Sequence, residues 1–137
     1  MMKPLAAGLA LAFAAAPALA AEPITGQWTT EDKDAVITID KCGSSYCGRI
    51  TRFLVAPPGG VDQRDINNPD KAKRDRKLLG MPVLTGFKLD GGEWKGRIYD
   101  PKSGRDYRSE ITRANASTLK VKGCWGPFCK TQTWKKR

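Results

Sequence analysis

The chain contains no histidine. That absence removes every Ser-His and Cys-His nucleophile arrangement and every His-based metal site. Free thiols are scarce too: the only cysteines are Cys42, Cys47, Cys124 and Cys129. An even count in an exported chain reads as disulfides, which leaves no thiolate to attack a substrate. No apolar run is long enough to cross a bilayer comfortably, since a span needs about 20 residues and the best candidate, Leu5 to Ala16, falls short. Beyond it there is no internal repeat, no low-complexity tract and no nucleic-acid-binding motif. Paired carboxylates remain as an acid–base route, with Asp65, Asp100 and Glu110 as the residues to inspect. Nothing in their spacing makes any two converge. The chain is therefore expected to have no catalytic residue, no metal and no cofactor.

What is present begins with an export signature. Met1-Met2-Lys3 is a short basic start, the apolar run follows, and Ala18-Leu19-Ala20 places small residues where signal peptidase reads them. Cleavage is predicted after Ala20. Residues 21–137 then form one domain, periplasmic or secreted and not membrane-spanning, and no cysteine at the cut offers a lipid anchor. The composition is strongly basic, with 24 Lys and Arg against 14 Asp and Glu and a net charge of +10. Such an excess favours acidic partners such as lipopolysaccharide, anionic lipid head groups or acidic polysaccharide. Nucleic acid is the weakest partner, because export separates the chain from it.

Each cysteine pair brackets four residues, Gly43-Ser44-Ser45-Tyr46 and Trp125-Gly126-Pro127-Phe128, and both insertions carry tight-turn residues. Of the three possible connectivities the spacing favours Cys42–Cys47 and Cys124–Cys129. A four-cysteine zinc site is the alternative, although structural zinc usually wants a pair spaced by two residues.

Short β-branched and aromatic segments bounded by Gly, Pro, Asn and Asp predict about eight strands: 26–30, 35–40, 46–55, 83–89, 93–99, 106–113, 118–124 and 130–136. Regular short connections argue for an antiparallel meander in a barrel or a sandwich. An eight-stranded up-and-down barrel leaves no exposed edge, and at that size its interior either fills with side chains or holds one small ligand. The four tryptophans sit in or beside strands, where core packing is the first expectation. Trp28 meets Trp134 if the chain ends close the barrel.

One segment breaks the pattern. Residues 65–80 read DINNPDKAKRDRKLLG. Asn68 suits an N-cap, Pro69 the first helical position and Asp70 the positive end of the dipole, with cations following and Gly80 to stop. This predicts one short helix near residues 68–77. Asp65, Asn67 and Asn68 exceed what one helix start needs, so the surplus is expected to brace the loop against Arg74 or Arg76 through bidentate ion pairs, or else to line a barrel mouth.

Several motifs stand in familiar order: Gly26-x-Trp28, Cys47-Gly48-Arg49-Ile50, Asn68-Pro69-Asp70, Arg74-x-Arg76, Leu78-Leu79-Gly80 and Leu84-x-x-Phe87. Trp94-x-Gly96-x-Ile98-Tyr99-Asp100-Pro101, Gly104-x-x-Tyr107 and Gln132-Thr133-Trp134 follow. Together they resemble the bacterial exported family catalogued as domain-of-unknown-function family 2147, over essentially all of residues 21–137. The resemblance implies a lipocalin-like β-barrel without an established activity. Gly26-x-Trp28 also resembles the first-strand signature of lipocalins, where a basic residue near the final strand packs over the tryptophan. Lys135, Lys136 or Arg137 is expected in that role.

The sequence thus points to an all-β barrel that binds a small apolar or amphipathic ligand, anionic at its head, without chemistry. Expected ligand contacts are Phe87, Trp94, Arg97, Tyr99 and Tyr107, with Trp28, Asp65, Asn68, Arg74 and Arg76 structural. Strand alternation puts Arg97 and Tyr99 on the opposite side from Trp94, so those five cannot all face inward. A filled-core basic module docking on an envelope polyanion is the alternative, and a carboxylate-dependent hydrolase ranks below it.

Overall fold

The computed structural model describes Gly8 and residues 23–137. Apart from Gly8, the predicted export segment and its cleavage point therefore lie outside the described residues. Eight antiparallel strands close into a barrel in sequential order. They are β1 (Gly26–Thr29), β2 (Ala35–Cys42), β3 (Ser45–Phe53), β4 (Pro82–Asp90), β5 (Glu93–Asp100), β6 (Arg105–Asn115), β7 (Thr118–Trp125) and β8 (Phe128–Lys136). All eight match the expected segments to within two residues at either end. The closing seam pairs Trp28 with Lys136 and Thr29 with Lys135, and the Arg137 amide extends it by donating to the Gln27 carbonyl at 3.0 Å.

The meander fixes which connections share an end. Turns 30–34, 101–104 and 126–127 and the long loop 54–81 lie at one end, which we call the mouth. The opposite end carries the β2–β3, β4–β5 and β6–β7 turns and both ends of the barrel sequence. Cys42–Cys47 links the arms of the β2–β3 hairpin and Cys124–Cys129 those of the β7–β8 hairpin, with Cα atoms 5.8 and 4.1 Å apart. The expected pairing is thus the one adopted.

Inward positions follow the period of two and collect into a core that includes Trp28, Ile39, Leu84, Phe87, Ile111 and Leu119, all at most 1% exposed. This half of the barrel is solid. Gly96 shows how tightly: a Cβ there would stand 2.6 Å from the Thr85 carbonyl oxygen and 2.7 Å from the Phe87 ring, so only glycine lets β4 and β5 approach around that phenylalanine. A register irregularity between Thr85 and Lys88 turns Phe87 inward.

The closed end is sealed by Arg113. Its guanidinium carbon lies 5.4 Å from the centroid of the Trp28 ring, and its nitrogens donate to the carbonyls of Pro23 at 2.7 Å, Asn115 at 3.2 Å and Ala116 at 2.6 Å. Trp28 Nε1 in turn donates to Ile24 O at 3.0 Å. The cation over Trp28 therefore comes from β6 and not from Lys135, Lys136 or Arg137 as expected. Lys135 turns to Thr118 Oγ1 instead, and Lys136 and Arg137 are exposed. Position explains the difference. Arg113 shares an inward line with Ile111 and reaches under the ring, whereas Lys135 and Lys136 stand in the closing seam with their side chains exposed.

The predicted helix near 68–77 does not form. Within it only Lys71–Lys73 make a 3-10 turn, capped by Asp70, whose Oδ1 accepts from the Ala72 amide at 3.0 Å. Cap chemistry was present, but between Asp70 and Lys77 only Ala72 is uncharged. A helix without an apolar stripe has nothing to pack, and one this short does not hold unaided.

Candidate functional site

A cavity of about 1050 Å³ opens at the mouth. Its inner wall is built from inward positions of the strands, among them Ile37, Ile50, Val83, Ile98, Val121 and Trp134. These are β-branched or aromatic residues of the kind that alternation turns inward, and here they border open space; Gly123 stands among them and adds no side chain to it. A Cβ at that position would meet Ile98 at 3.6 Å and Tyr107 at 3.9 Å. Polar groups on the wall are few: Tyr107 and Gln132, whose Oε1 accepts from Trp134 Nε1 at 3.0 Å.

The mouth is framed by the long loop 54–81 and the three turns. The loop folds back on itself through an antiparallel bridge between Arg64 and Lys77, with Asp65 N donating to Arg76 O at 2.8 Å and Leu78 N to Gln63 O at 2.9 Å. Leu78 and Met81 anchor its return to the core. At its centre lies Asp65, whose side chain is fully buried. Three donors meet that carboxylate: the Tyr99 hydroxyl at 2.7 Å, Asn68 Nδ2 at 2.8 Å and Arg76 Nη2 at 3.2 Å. Burial and the hydrogen bond to Asp65 raise the Tyr99 phenol above its ordinary pKa. Arg74 approaches the same group by another route, its Nε donating to the Asn68 carbonyl at 2.8 Å. The ion pair to Asp65 is thus a single contact from Arg76 rather than a bidentate one.

Asn67 ties the loop to the β5–β6 turn by donating to the carbonyls of Pro101 and Lys102 at 3.1 and 3.2 Å. Gly104, with φ +70°, passes directly beneath the Asn67 carbonyl, where a Cβ would collide with the backbone. Across the mouth, Lys102 Nζ donates to Asp34 Oδ2 at 2.8 Å and lies 3.9 Å from Asp32. Burial pushes the Asp34 carboxyl upward, but hydrogen bonds from Lys102 and Thr30 outweigh it and hold the group below the usual carboxylate range. The same hydrogen bond raises the Lys102 ammonium.

Of the five expected ligand contacts, Tyr107 and Tyr99 line the cavity and the other three do not. Phe87 is core, 1% exposed. Trp94 packs below the cavity, its ring edge-on to Tyr46 at a centroid distance of 5.0 Å. Arg97 lies on the outer face of β5, where its Nε is paired with Asp106 at 2.7 Å. Residue type had suggested them, but depth along the barrel and strand parity exclude them. Tyr99 shares the outward parity of Arg97 and reaches the site only because the loop covers it. Of the suspected carboxylates, Asp65 is held by its three donors, Asp100 accepts from the Lys102 amide and Ser103 Oγ, and Glu110 faces Lys122 at 3.6 Å. Among the described residues no group of three or more Cys, Asp or Glu is arranged to hold a metal ion.

Sequence reasoning missed the outer rim. Trp125, read as a turn residue and grouped with the tryptophans expected to pack in the core, and Phe128, read as a turn residue, are 73% and 74% exposed and border the cavity, joined there by Val55 and Ile66. Two large apolar residues at a hairpin tip were the available signal.

A family model described as an uncharacterized protein conserved in bacteria, DUF2147, matches residues 26–136. No curated protein sequence matches. Among solved structures, a Helicobacter pylori protein described as belonging to the lipocalin family superposes with a TM-score of 0.72 at 19% identity, covering 84% of this chain and 83% of that one. At that identity the likeness establishes a common fold.

Proposed function

The chain belongs to the DUF2147 family, and from that premise we propose that it is an exported binding protein that holds a small apolar or amphipathic ligand in its barrel without transforming it. One observation carries this reading: a cavity of about 1050 Å³ whose wall is mainly aliphatic and aromatic and which opens among the turns of the mouth. Its size lies at the upper limit of ordinary small-molecule sites, and such a wall with a few polar groups is their usual chemistry. The alternative of a filled barrel acting only through its surface loses its premise, because the mouth half is hollow. Apolar portions of the ligand lie against Ile37, Val83, Ile98 and Val121. Its polar end meets Tyr107 and Gln132 on the wall or Lys130 nearer the opening. Export is supported by the basic-then-apolar start with its small-residue cleavage site and by two disulfides, which persist in oxidising compartments.

The test is native mass spectrometry of protein purified gently from its own periplasm, searching for a co-purifying lipid, together with titration of a fluorescent fatty acid. A bound lipid, and at least a tenfold loss of probe affinity in Val121→Trp, which sets an indole into the space that the ligand would occupy, are expected. Unchanged probe binding by a folded Val121→Trp protein refutes the site.

A further inference from the structure

Trp125 and Phe128 are cross-strand partners at the tip of the β7–β8 hairpin, and they are the two most exposed large apolar side chains among the described residues. Exposure here does not come from a loose loop. The Cys124–Cys129 bond ties the strands one residue below the pair, Pro127 restricts the turn, and Arg108 Nη2 donates to the Gly126 carbonyl at 3.4 Å. Both residues continue inward lines of their strands, β7 through Gly123 and Val121 and β8 through Lys130 and Gln132, all of which border the cavity. The pair therefore projects past the barrel at the edge of the opening. Val55 and Ile66, 61% exposed each, carry apolar surface on the long loop that also borders it.

The two flanks of this tip differ in charge. Arg105, Arg108 and Lys130 lie in the hairpin or on the β6 side, whereas Glu31, Asp32 and Asp34 lie on the β1–β2 side with Lys102 beside the two aspartates, and Asp100 pairs across from Arg105. Asp106, the acid nearest on β6, is taken up by Arg97. A rigid apolar wedge with a cationic flank matches the boundary of an anionic membrane: indole and phenyl rings settle at headgroup depth, and nearby cations meet lipid phosphates. Contiguous exposed apolar surface marks an interaction site. A second copy of the chain is a poor partner for it, because each copy carries a large excess of positive charge.

We propose that the mouth docks on an anionic lipid bilayer through Trp125 and Phe128, with Arg105, Arg108 and Lys130 engaging the headgroups. The proposal goes beyond the carrier reading, since docking needs the rim and not the contents of the cavity. It also places the opening against the phase from which an amphipathic ligand is drawn.

The experiment is sedimentation of the purified protein with vesicles of phosphatidylcholine alone and of equal parts phosphatidylcholine and phosphatidylglycerol. Partition onto the anionic vesicles, with a blue shift of Trp125 emission, is expected. Each flanking cation near the surface contributes about fivefold, so the Arg105→Gln, Arg108→Gln, Lys130→Gln triple variant should partition on the order of 100-fold more weakly. Trp125→Ser with Phe128→Ser should abolish the partition while leaving the circular dichroism of the barrel unchanged. Val121→Trp, which sets an indole into the cavity, should still dock; unchanged fatty-acid binding by that variant indicts the carrier reading alone and spares this one. Docking is overturned if the folded wild-type protein ignores anionic vesicles, binds neutral ones equally well, or retains binding in the serine double variant. A lipid-free dimer that the serine variant dissociates overturns it too, by making a second copy the occupant.

Discussion

Tyr99 and Asp65 show how much of the mouth depends on single groups. The carboxylate is buried with three donors, so removing one leaves an anion short of partners in a low-dielectric site. Tyr99→Phe should destabilise by about 2 kcal/mol at neutral pH, read from the denaturant midpoint. The pH dependence has a definite sign. An unfolded tyrosine releases its proton near 10 and the folded one holds it longer, so the contribution is complete below that pH and drains away as alkali rises through the folded value. Tyr99→Phe should therefore flatten the stability profile above pH 10. Asp34 works in the opposite sense, its contribution present above about pH 4 and lost as acid approaches its lowered folded value. At the closed end, Arg113→Lys keeps the charge but not the planar fork that reaches three carbonyls while covering Trp28. A loss of about 1–2 kcal/mol is expected, and a melting temperature equal to wild type would refute the sealing role.

At the scale of elements, the strands were legible because their signal is local. Alternating β-branched and aromatic residues between turns such as Asp90-Gly91-Gly92 leave little choice of boundary. The segment 68–77 misled for a related reason: cap residues report only on a helix terminus, and the missing stripe of apolar residues argued more strongly against a helix. Its Asn68 and Arg76 serve instead to hold Asp65, which with Asn67 ties the loop to β5 and the β5–β6 turn. Asn68→Ala should accordingly lower stability by about 1–3 kcal/mol through the donor lost to Asp65, not through an uncapped helix, and its amide exchange should quicken around Asp65 and Arg76. Where a strand side chain sits along the barrel axis was not legible. Phe87 and Trp94 have the chemistry of a lining residue but lie on the solid side of the core boundary. Gly96→Ala, on that side, should cost more than 2 kcal/mol because the Phe87 ring and the Thr85 backbone have no room to give. A fully stable alanine variant would refute the close approach.

For the whole molecule, closure and hollowness have separate causes. Closure follows from the pairing of β1 with β8, short as β1 is. Hollowness follows from where bulk is placed: Trp28, Phe87, Leu84 and Ile111 fill one half, while towards the mouth Gly123 adds no side chain and the long loop 54–81 frames the opening. The sequence pattern could suggest the first and not the second, because volume depends on which residues meet across the barrel.

Arg113 and the solid half give the vessel a floor, and a vessel with a floor has no back door. Whatever enters past Trp125 must retrace its path before another molecule can follow, so a newcomer cannot push an occupant out from behind. Displacement of a bound probe should therefore proceed at its own dissociation rate however much excess competitor is added, which stopped-flow measurement checks.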